Sequence, residues 1–434
     1  MTATGLAFLA AYLFGLLRAF ISHPRWGLYT YIGTFYLHPP MRWWGATLPD
    51  LRWSLTAAIV TLLALPGAKI ERSASPWTSH TFSKVMLAYV AWMWIQVGWG
   101  NPEHFEGLIL MTKFVILHYL IYHLVRNQED LIGFGFAHVI GCFYFGLLAL
   151  AEASGGRMEN VGGPGVSDSN TLGMHLSTGL LFAGALILTQ RGWKRWAVIG
   201  TVPFIANAIV QTQSRGAFVG AVAGGLVYYY FAPRVHRKVM IPLGALCFCI
   251  LLAYTPLDYW TRMNTLNAVA EQNEQMDSSA KSRLYIAQAQ WRMFLDHPLG
   301  LGTSTTTYLS RNYLDHVWLS SRGARASHNT LLSIMTDQGV PGVVLGSIGL
   351  LSMIGVMLRL KRMVPQDTEP LLASMLAAVC GSLTVAFLAG MTADYLRAEV
   401  QLWCLALLLA CLQMSQRRLL TLYAEPPTVP VASY

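Results

Sequence analysis

The recurrence of apolar runs long enough to cross a lipid bilayer limits this chain's fold more than any other feature. Residues 131–151, 171–189, 216–231 and 370–391 are such runs, or nearly so, against a hydrocarbon core that takes about 20 residues of helix. With 54% of its 434 residues hydrophobic and only 12% charged, the chain carries more apolar side chain than a soluble protein of this size can hide. Lipid offers no partner to unpaired amide groups, so the spans are expected to be helices. Counting by length gives about twelve, although residues 6–17 are short for a full span. The expected fold is an all-α polytopic protein of the bacterial inner (cytoplasmic) membrane. The first segment lacks a basic start and a small-residue cleavage site, so it does not read as a removable signal.

Lys and Arg beside a span stay on the cytoplasmic side. Three basic loops mark that side: Arg191, Lys194 and Arg195; Arg234, Arg237 and Lys238; Arg359, Lys361 and Arg362. Arg417 and Arg418 add a cytoplasmic C-terminus. The formal charge of +9 is therefore orientation and contact with anionic lipid, and points to no nucleic acid. Four connections then face the periplasm: 101–106, 152–170, 213–215 and, much the longest, 258–327. The chain divides into spans with short loops (1–257), a large helical periplasmic loop expected to carry catalytic residues (258–328), C-terminal spans (329–415) and a cytoplasmic tail (416–434). All six cysteines lie in apolar stretches, none in the loop, which excludes a disulfide framework or cysteine-bound metal there. Within the loop, 282–295 carries Leu284, Ile286, Ala287, Trp291 and Phe294 at helical spacing, a face suited to the membrane surface. Pro298, Gly300 and Gly302 end that helix.

Polar residues gather on the periplasmic face. Arg215, in Gln213-Ser214-Arg215-Gly216, sits where Arg is normally depleted. The plain reading is a snorkelling cap; the sharper one is an anion site, since guanidinium forks suit phosphate and Gly216 opens the backbone at a helix start. Arg283, with Arg292 further along the same helix, is either a solvated charge or a second anion ligand. His328, followed by Asn329 where the loop re-enters the membrane, can take a proton near neutral pH as a general base does. A hydrogen-bonded interfacial histidine is its plain alternative. Asp168, Ser169 and Asn170 precede a span, where Ser169 or Asn170 is expected to cap the helix. Asp394 can pair with Arg397. Tyr308, Arg311 and Tyr313 can line a sugar site, though their spacing does not demand one. Metal-ligand and nucleotide motifs are missing, so neither metal nor cofactor is expected. A periplasmic enzyme without ATP must draw on an already activated substrate.

Four pieces in order, covering mainly 162–342, resemble the O-antigen ligase and polymerase superfamily. They are Gly-Pro-Gly-x-x-Asp-x-Asn at 163–170 (with Ser between Asp168 and Asn170), Gln-Ser-Arg-Gly-Ala at 213–217, Ser-Arg...Trp...Met-Phe-x-x-x-Pro-Leu-Gly-x-Gly at 282–302, and Ser-His-Asn-Thr-Leu-Leu...Gly-Val-Pro-Gly at 327–342. Tyr-Leu-His-Pro-Pro at 36–40 and Leu-Pro-Asp-Leu-Arg-Trp-Ser at 48–54 are similar to O-glycosylation ligases associated with exosortase systems. The resemblance implies a metal-independent glycosyltransferase of the C-type membrane architecture. It would move a glycan from undecaprenyl pyrophosphate to a sugar hydroxyl of lipid A-core, with membrane lipids as its other partners. Arg215 and Arg283 would take the pyrophosphate, His328 the acceptor hydroxyl, and Asp168 and Asn170 a binding or structural role.

Physical chemistry supports that reading, since guanidinium groups can stabilise the charge that develops on a pyrophosphate leaving group without a metal. A polymerase or a protein O-oligosaccharyltransferase would use the same donor and much the same site. A transporter is the rival from another class: Lys113, Pro203 and Pro341 suit it, but it predicts paired broken helices and ionisable groups at mid-span. The sequence instead collects its polar residues at one face.

Overall fold

A computed structural model describes residues 2–68, 74–151, 158–163, 165–242, 244, 278–321 and 323–424. Cys247, Cys249, the first part of the expected large loop (258–277), Pro164 and the Pro-rich tail lie outside the described residues. The fold within them is helical, with no strand. Its helices are α1 (Ala3–Ile21), α2 (Arg25–Leu37), α3 (Trp53–Ala64), α4 (Thr81–Gln96), α5 (His104–Leu124), α6 (Gln128–Ala151), α7 (Ser169–Thr189), α8 (Gly192–Thr212), α9 (Arg215–Phe231), α10 (Ser278–Asp296), α11 (Thr305–Tyr313), α12 (Thr330–Met363), α13 (Pro370–Ala389) and α14 (Glu399–Ala424).

Among the described residues, seven helices are long and apolar enough to cross a membrane: α1, α5, α6, α7, α12, α13 and α14. The chain is thus a multi-pass membrane protein by the length and composition of its helices. The expected count of about twelve is not reached among the described residues: the run 216–231, for one, forms α9, which is shorter than those seven. The bundle centre is α7 and α13, packed against each other and against α9. Small residues allow that closeness. A Cβ on Gly224 would lie 2.8 Å from Gly381 O, and one on Gly381 would lie 2.7 Å from Gly224 O, the small-residue contact by which membrane helices associate.

The basic loops share one end of the bundle. There Lys361 donates to Tyr230 O, Arg237 Nη2 donates to the same carbonyl at 2.6 Å, Arg418 pairs with Glu369 at 2.8 Å, and Arg25 pairs with Asp130 at 2.8 Å. The starts of α7, α9 and α12 lie at the opposite end, with α10 and α11 over them.

The loop helices form a small subdomain with its own core of Ile286, Ala289, Met293, Leu309 and Leu314. The expected membrane-facing stripe on α10 is corrected in part. Leu284 and Trp291 are exposed, but Ile286 is buried and packs inward, because α10 rolls so that Ser282, Ile286, Ala289, Gln290 and Met293 face α11 and α12.

The Pro-Leu-Gly-x-Gly run that follows α10 is a backbone clamp. It threads beside a break in α12 at Gly339, whose φ of 63° and ψ of −156° are not helical. Gly339 and Gly300 abut so closely that a Cβ on Gly339 would fall 2.3 Å from Pro298 O, and one on Gly300 2.4 Å from Asp337 O. The amides and carbonyls freed by the break find partners, as backbone at membrane depth requires. Val340 N donates to Pro298 O at 2.8 Å, Gln96 Nε2 to both Leu299 O and Asp337 O at 3.0 Å, Trp92 Nε1 to Gln338 O at 2.9 Å, and Asn101 Nδ2 to Leu301 O and Thr303 O at 2.8 and 2.9 Å.

Candidate active site

Local capping brings polar groups to one end of the bundle. Asp168 Oδ1 accepts from Asn170 N at 3.0 Å and Thr171 N at 3.1 Å, and Thr171 Oγ1 donates to Oδ2. The cap of α7 is therefore Asp168, where Ser169 or Asn170 was expected. Those two side chains turn elsewhere: Ser169 Oγ donates to Glu159 Oε1 at 2.7 Å, and Asn170 Oδ1 accepts from Ser214 Oγ at 3.0 Å. Ser214 also accepts from Ala217 N at 3.2 Å as the cap of α9. Arg215, buried, is the first residue of that helix. The Ser214–Asn170 hydrogen bond thus joins the starts of α7 and α9.

The segment 327–330 is tied to the α13–α14 connection. Asn329 caps α12, accepting from Leu331 N at 2.9 Å and Leu332 N at 3.1 Å, and its Nδ2 donates to Met391 O at 3.1 Å. Thr330 N donates to Gly390 O at 2.7 Å, and Tyr395 N donates to Thr330 Oγ1 at 2.8 Å. The loop subdomain holds the same segment from above: Gln290 Nε2 donates to Ser327 Oγ at 2.9 Å, and Arg325 Nη2 donates to Ser282 Oγ at 3.1 Å. Asp337 anchors α11, accepting from Ser304 N at 3.2 Å and Thr305 N at 3.0 Å.

Between these elements lies a cavity of 330 Å³ lined by Asp168, Asn170, Thr171, Ser304, Thr306, Thr307, Ser327, His328, Asp337, Asp394 and Arg397, among others. The structure therefore brings together four expected site residues, Asp168, Asn170, His328 and Asp394. Arg215 adjoins the cavity through Ser214 and Asn170. Arg283 acts on it by charge: burial pushes the His328 imidazole down to about 4, the positive charges of Arg283 and Arg325 push in the same direction, and Asp168 opposes them. The His328 imidazole is consequently neutral across the physiological range.

The other expected residues do not line the cavity. Asn329 is spent on its cap. Arg292 and Tyr308 are exposed, and Arg311 Nε donates to Gly323 O at 2.6 Å. Tyr313 donates to Asp296 at 2.6 Å. Sequence reasoning gave Arg397 no role beyond pairing with Asp394, and passed over Asp337, Thr306 and Thr307. The signal for Arg397 was present: it is a lone Arg away from the basic loops, the argument already applied to Arg215. Burial pushes the Asp394 carboxyl up, and the Arg397 charge works against that.

A second, apolar groove of 450 Å³ starts beside the same end and runs between α4, α12, α13 and α14. Thr330, Leu331, Gly390, Met391 and Leu396 line its upper part, and Gly349, Met353 and Phe82 its lower part. Polar cavity and apolar groove both border the segment that carries His328.

The chain matches no curated protein at a significant level. Residues 200–347, about a third of the chain, match the family model described as O-antigen ligase, a stretch that holds Arg215, the loop helices, His328 and the break in α12, and the match supports the resemblance to the O-antigen ligase superfamily.

Proposed function

We propose that the protein is an O-antigen ligase that transfers a glycan from undecaprenyl pyrophosphate to a sugar hydroxyl of lipid A-core, on the periplasmic side of the bacterial inner membrane and without a metal. The observation that carries the reading is the convergence of a neutral His328 with Asp168, Asn170, Asp394 and Arg397 on one cavity at the end away from the basic loops. His328 would remove the proton of the attacking hydroxyl. Arg215 and Arg283, with Arg397 added by the cavity geometry, would stabilise charge on the departing pyrophosphate. The apolar groove beside the cavity suits a polyprenyl tail, which must stay in or near lipid while its headgroup reacts. A single in-line displacement with inversion at the anomeric carbon follows, and a retained anomer in the product would exclude it.

The deciding experiment supplies purified protein with undecaprenyl-pyrophosphate-linked glycan and lipid A-core in excess EDTA. Transfer is expected to persist in EDTA and to collapse in folded Arg215→Ala, Arg283→Ala and His328→Ala. Turnover only with a glycan acceptor would reassign the protein as a polymerase, and turnover only with a protein acceptor as a protein O-oligosaccharyltransferase.

A further inference from the structure

A cluster of metal-ligating side chains lies in the bundle core, outside the cavity. It comprises Tyr36 near the end of α2, His138 and Cys142 on α6, and His175 on α7, all buried. One ligand atom from each of His138, Cys142 and His175 falls within 4.8 Å of the others. The Tyr36 hydroxyl oxygen sits among them, 2.6 Å from His138 Nδ1, 2.8 Å from His175 Nε2 and 3.7 Å from Cys142 Sγ. Cys142 Sγ is 4.0 Å from His138 Nδ1. Tetrahedral zinc, with bonds of about 2.0–2.1 Å to nitrogen and about 2.3 Å to sulfur, puts neighbouring ligand atoms roughly 3.3–3.6 Å apart. The observed separations bracket that spacing.

We propose that Tyr36, His138, Cys142 and His175 bind one divalent cation of the zinc class, which pins α2, α6 and α7 together in the bundle core. Charge favours the occupied state: a thiolate and a phenolate cancel the divalent charge and two imidazoles add none. The ion is then neutralised by its ligands, as a low-dielectric interior requires. Binding releases two protons, one from the Cys142 thiol and one from the Tyr36 phenol.

The surroundings set the tautomer of His138. Thr178 Oγ1 donates its proton to His175 O at 2.6 Å, so at 3.0 Å it can only accept from His138 Nε2. The proton of His138 therefore sits on Nε2, and the bare lone pair of Nδ1 faces the cluster, as an outer-shell partner arranges for a metal-bound histidine. Two glycines make the room. A Cβ on Gly141 would lie 2.1 Å from the Tyr36 ring, and one on Gly179 would lie 2.5 Å from Cys142 Sγ.

The proposal replaces the expectation of no metal with a structural ion, and leaves transfer at the cavity metal-independent. His175 follows Asn170 by five residues on α7, about 7.5 Å along the helix, so the ion would brace the helix that presents Asp168 and Asn170.

The test uses the full chain, expressed in minimal medium supplemented with zinc or, separately, cobalt, and purified without chelator. Mass spectrometric metal analysis is expected to find about one ion per chain, and the cobalt protein to show a thiolate-to-cobalt absorption band. His138→Ala and Cys142→Ala should lose the ion, Cys380→Ala should keep it, and Thr178→Val should weaken it by about 10–100-fold. Folded, monodisperse wild-type protein carrying under about one-tenth of an ion per chain from both media would overturn the proposal. Retention of the ion and of the cobalt band in Cys142→Ala would do the same. The wild-type measurement keeps the test decisive even if a variant fails to fold.

Discussion

A histidine can act as a base only while its imidazole is neutral, and His328 is held neutral by burial and by two arginines. The sign is direct. With a pKa of about 4 in the folded protein, protonation of this base should cost no activity between pH 8 and about pH 5.5, whereas an unperturbed histidine would halve the rate near pH 6.5. Initial rates with saturating donor check this, and a midpoint of activity near 6.5 in the wild type would remove His328 from the base role. His328→Gln keeps a polar side chain of similar reach but accepts no proton, so it should lower kcat by about 10²–10⁴-fold. Arg397→Ala is the residue-scale test of what the cavity added to the sequence reading. Loss of kcat with the donor KM little changed would place its contact in the transition state.

Among the elements, the broken α12 and the glycine clamp leave no room for a side chain at Gly339 or Gly300. Gly339 holds φ of 63° and ψ of −156°, a region open essentially to glycine, and a residue with a side chain there costs about 1–3 kcal/mol in backbone terms alone. The contact of its Cβ with Pro298 O at 2.3 Å adds to that, so Gly339→Ala should lower the thermal midpoint and raise protease cleavage in the loop subdomain. Gly355, on the same helix with nothing within 4 Å of a built Cβ, is the control: Gly355→Ala should stabilise by about 0.5–1 kcal/mol through helix propensity. Asn101→Ala removes the side-chain donor to Thr303 O, while Leu301 O keeps the Asn101 amide, and should destabilise by about 1–3 kcal/mol, the cost of stranding a buried carbonyl. Thermal unfolding in detergent measures all three. A Gly339→Ala midpoint equal to wild type would mean the break can be rebuilt as regular helix.

For the whole molecule the decisive question is orientation. Basic residues at one end and the cavity at the other predict that Tyr308→Cys, half exposed on α11, reacts with a membrane-impermeant maleimide in intact spheroplasts. Trp193→Cys, 76% exposed at the start of α8, should react only after the membrane is opened. The four described cysteines are buried, so labelling is read as the increase over wild type. The reverse pattern would turn the protein over and put its cavity in the cytoplasm, away from any lipid A-core acceptor. Much of this scale was legible beforehand. Apolar run lengths and the Lys and Arg loops already separated a basic end from a polar one, because lipid acts on each segment independently of its neighbours. The site was legible in part: Asp168, Asn170, His328 and Asp394 stood out as polar groups beside spans, and they do share a cavity.

What stayed hidden depends on contacts between distant segments. Ser282–Met293 shows its inward face only once α11 and α12 are in place, so the stripe containing Ile286 could not be divided from sequence. Pro298–Gly302 read as a helix stop, and only packing against Gly339 made it a clamp. Arg397 and Asp337 looked like local charges until the α13–α14 connection and the first turns of α12 met at the cavity. Tyr36, His138, Cys142 and His175 have no motif spacing, since three helices supply them. The sequence by itself determined the solvent, the helices and which end is polar, because hydrophobic length and flanking charge act locally along the chain. Which polar groups face one another was decided by the tertiary structure alone, because helix rotation and the break at Gly339 are set by packing between residues tens to hundreds of positions apart.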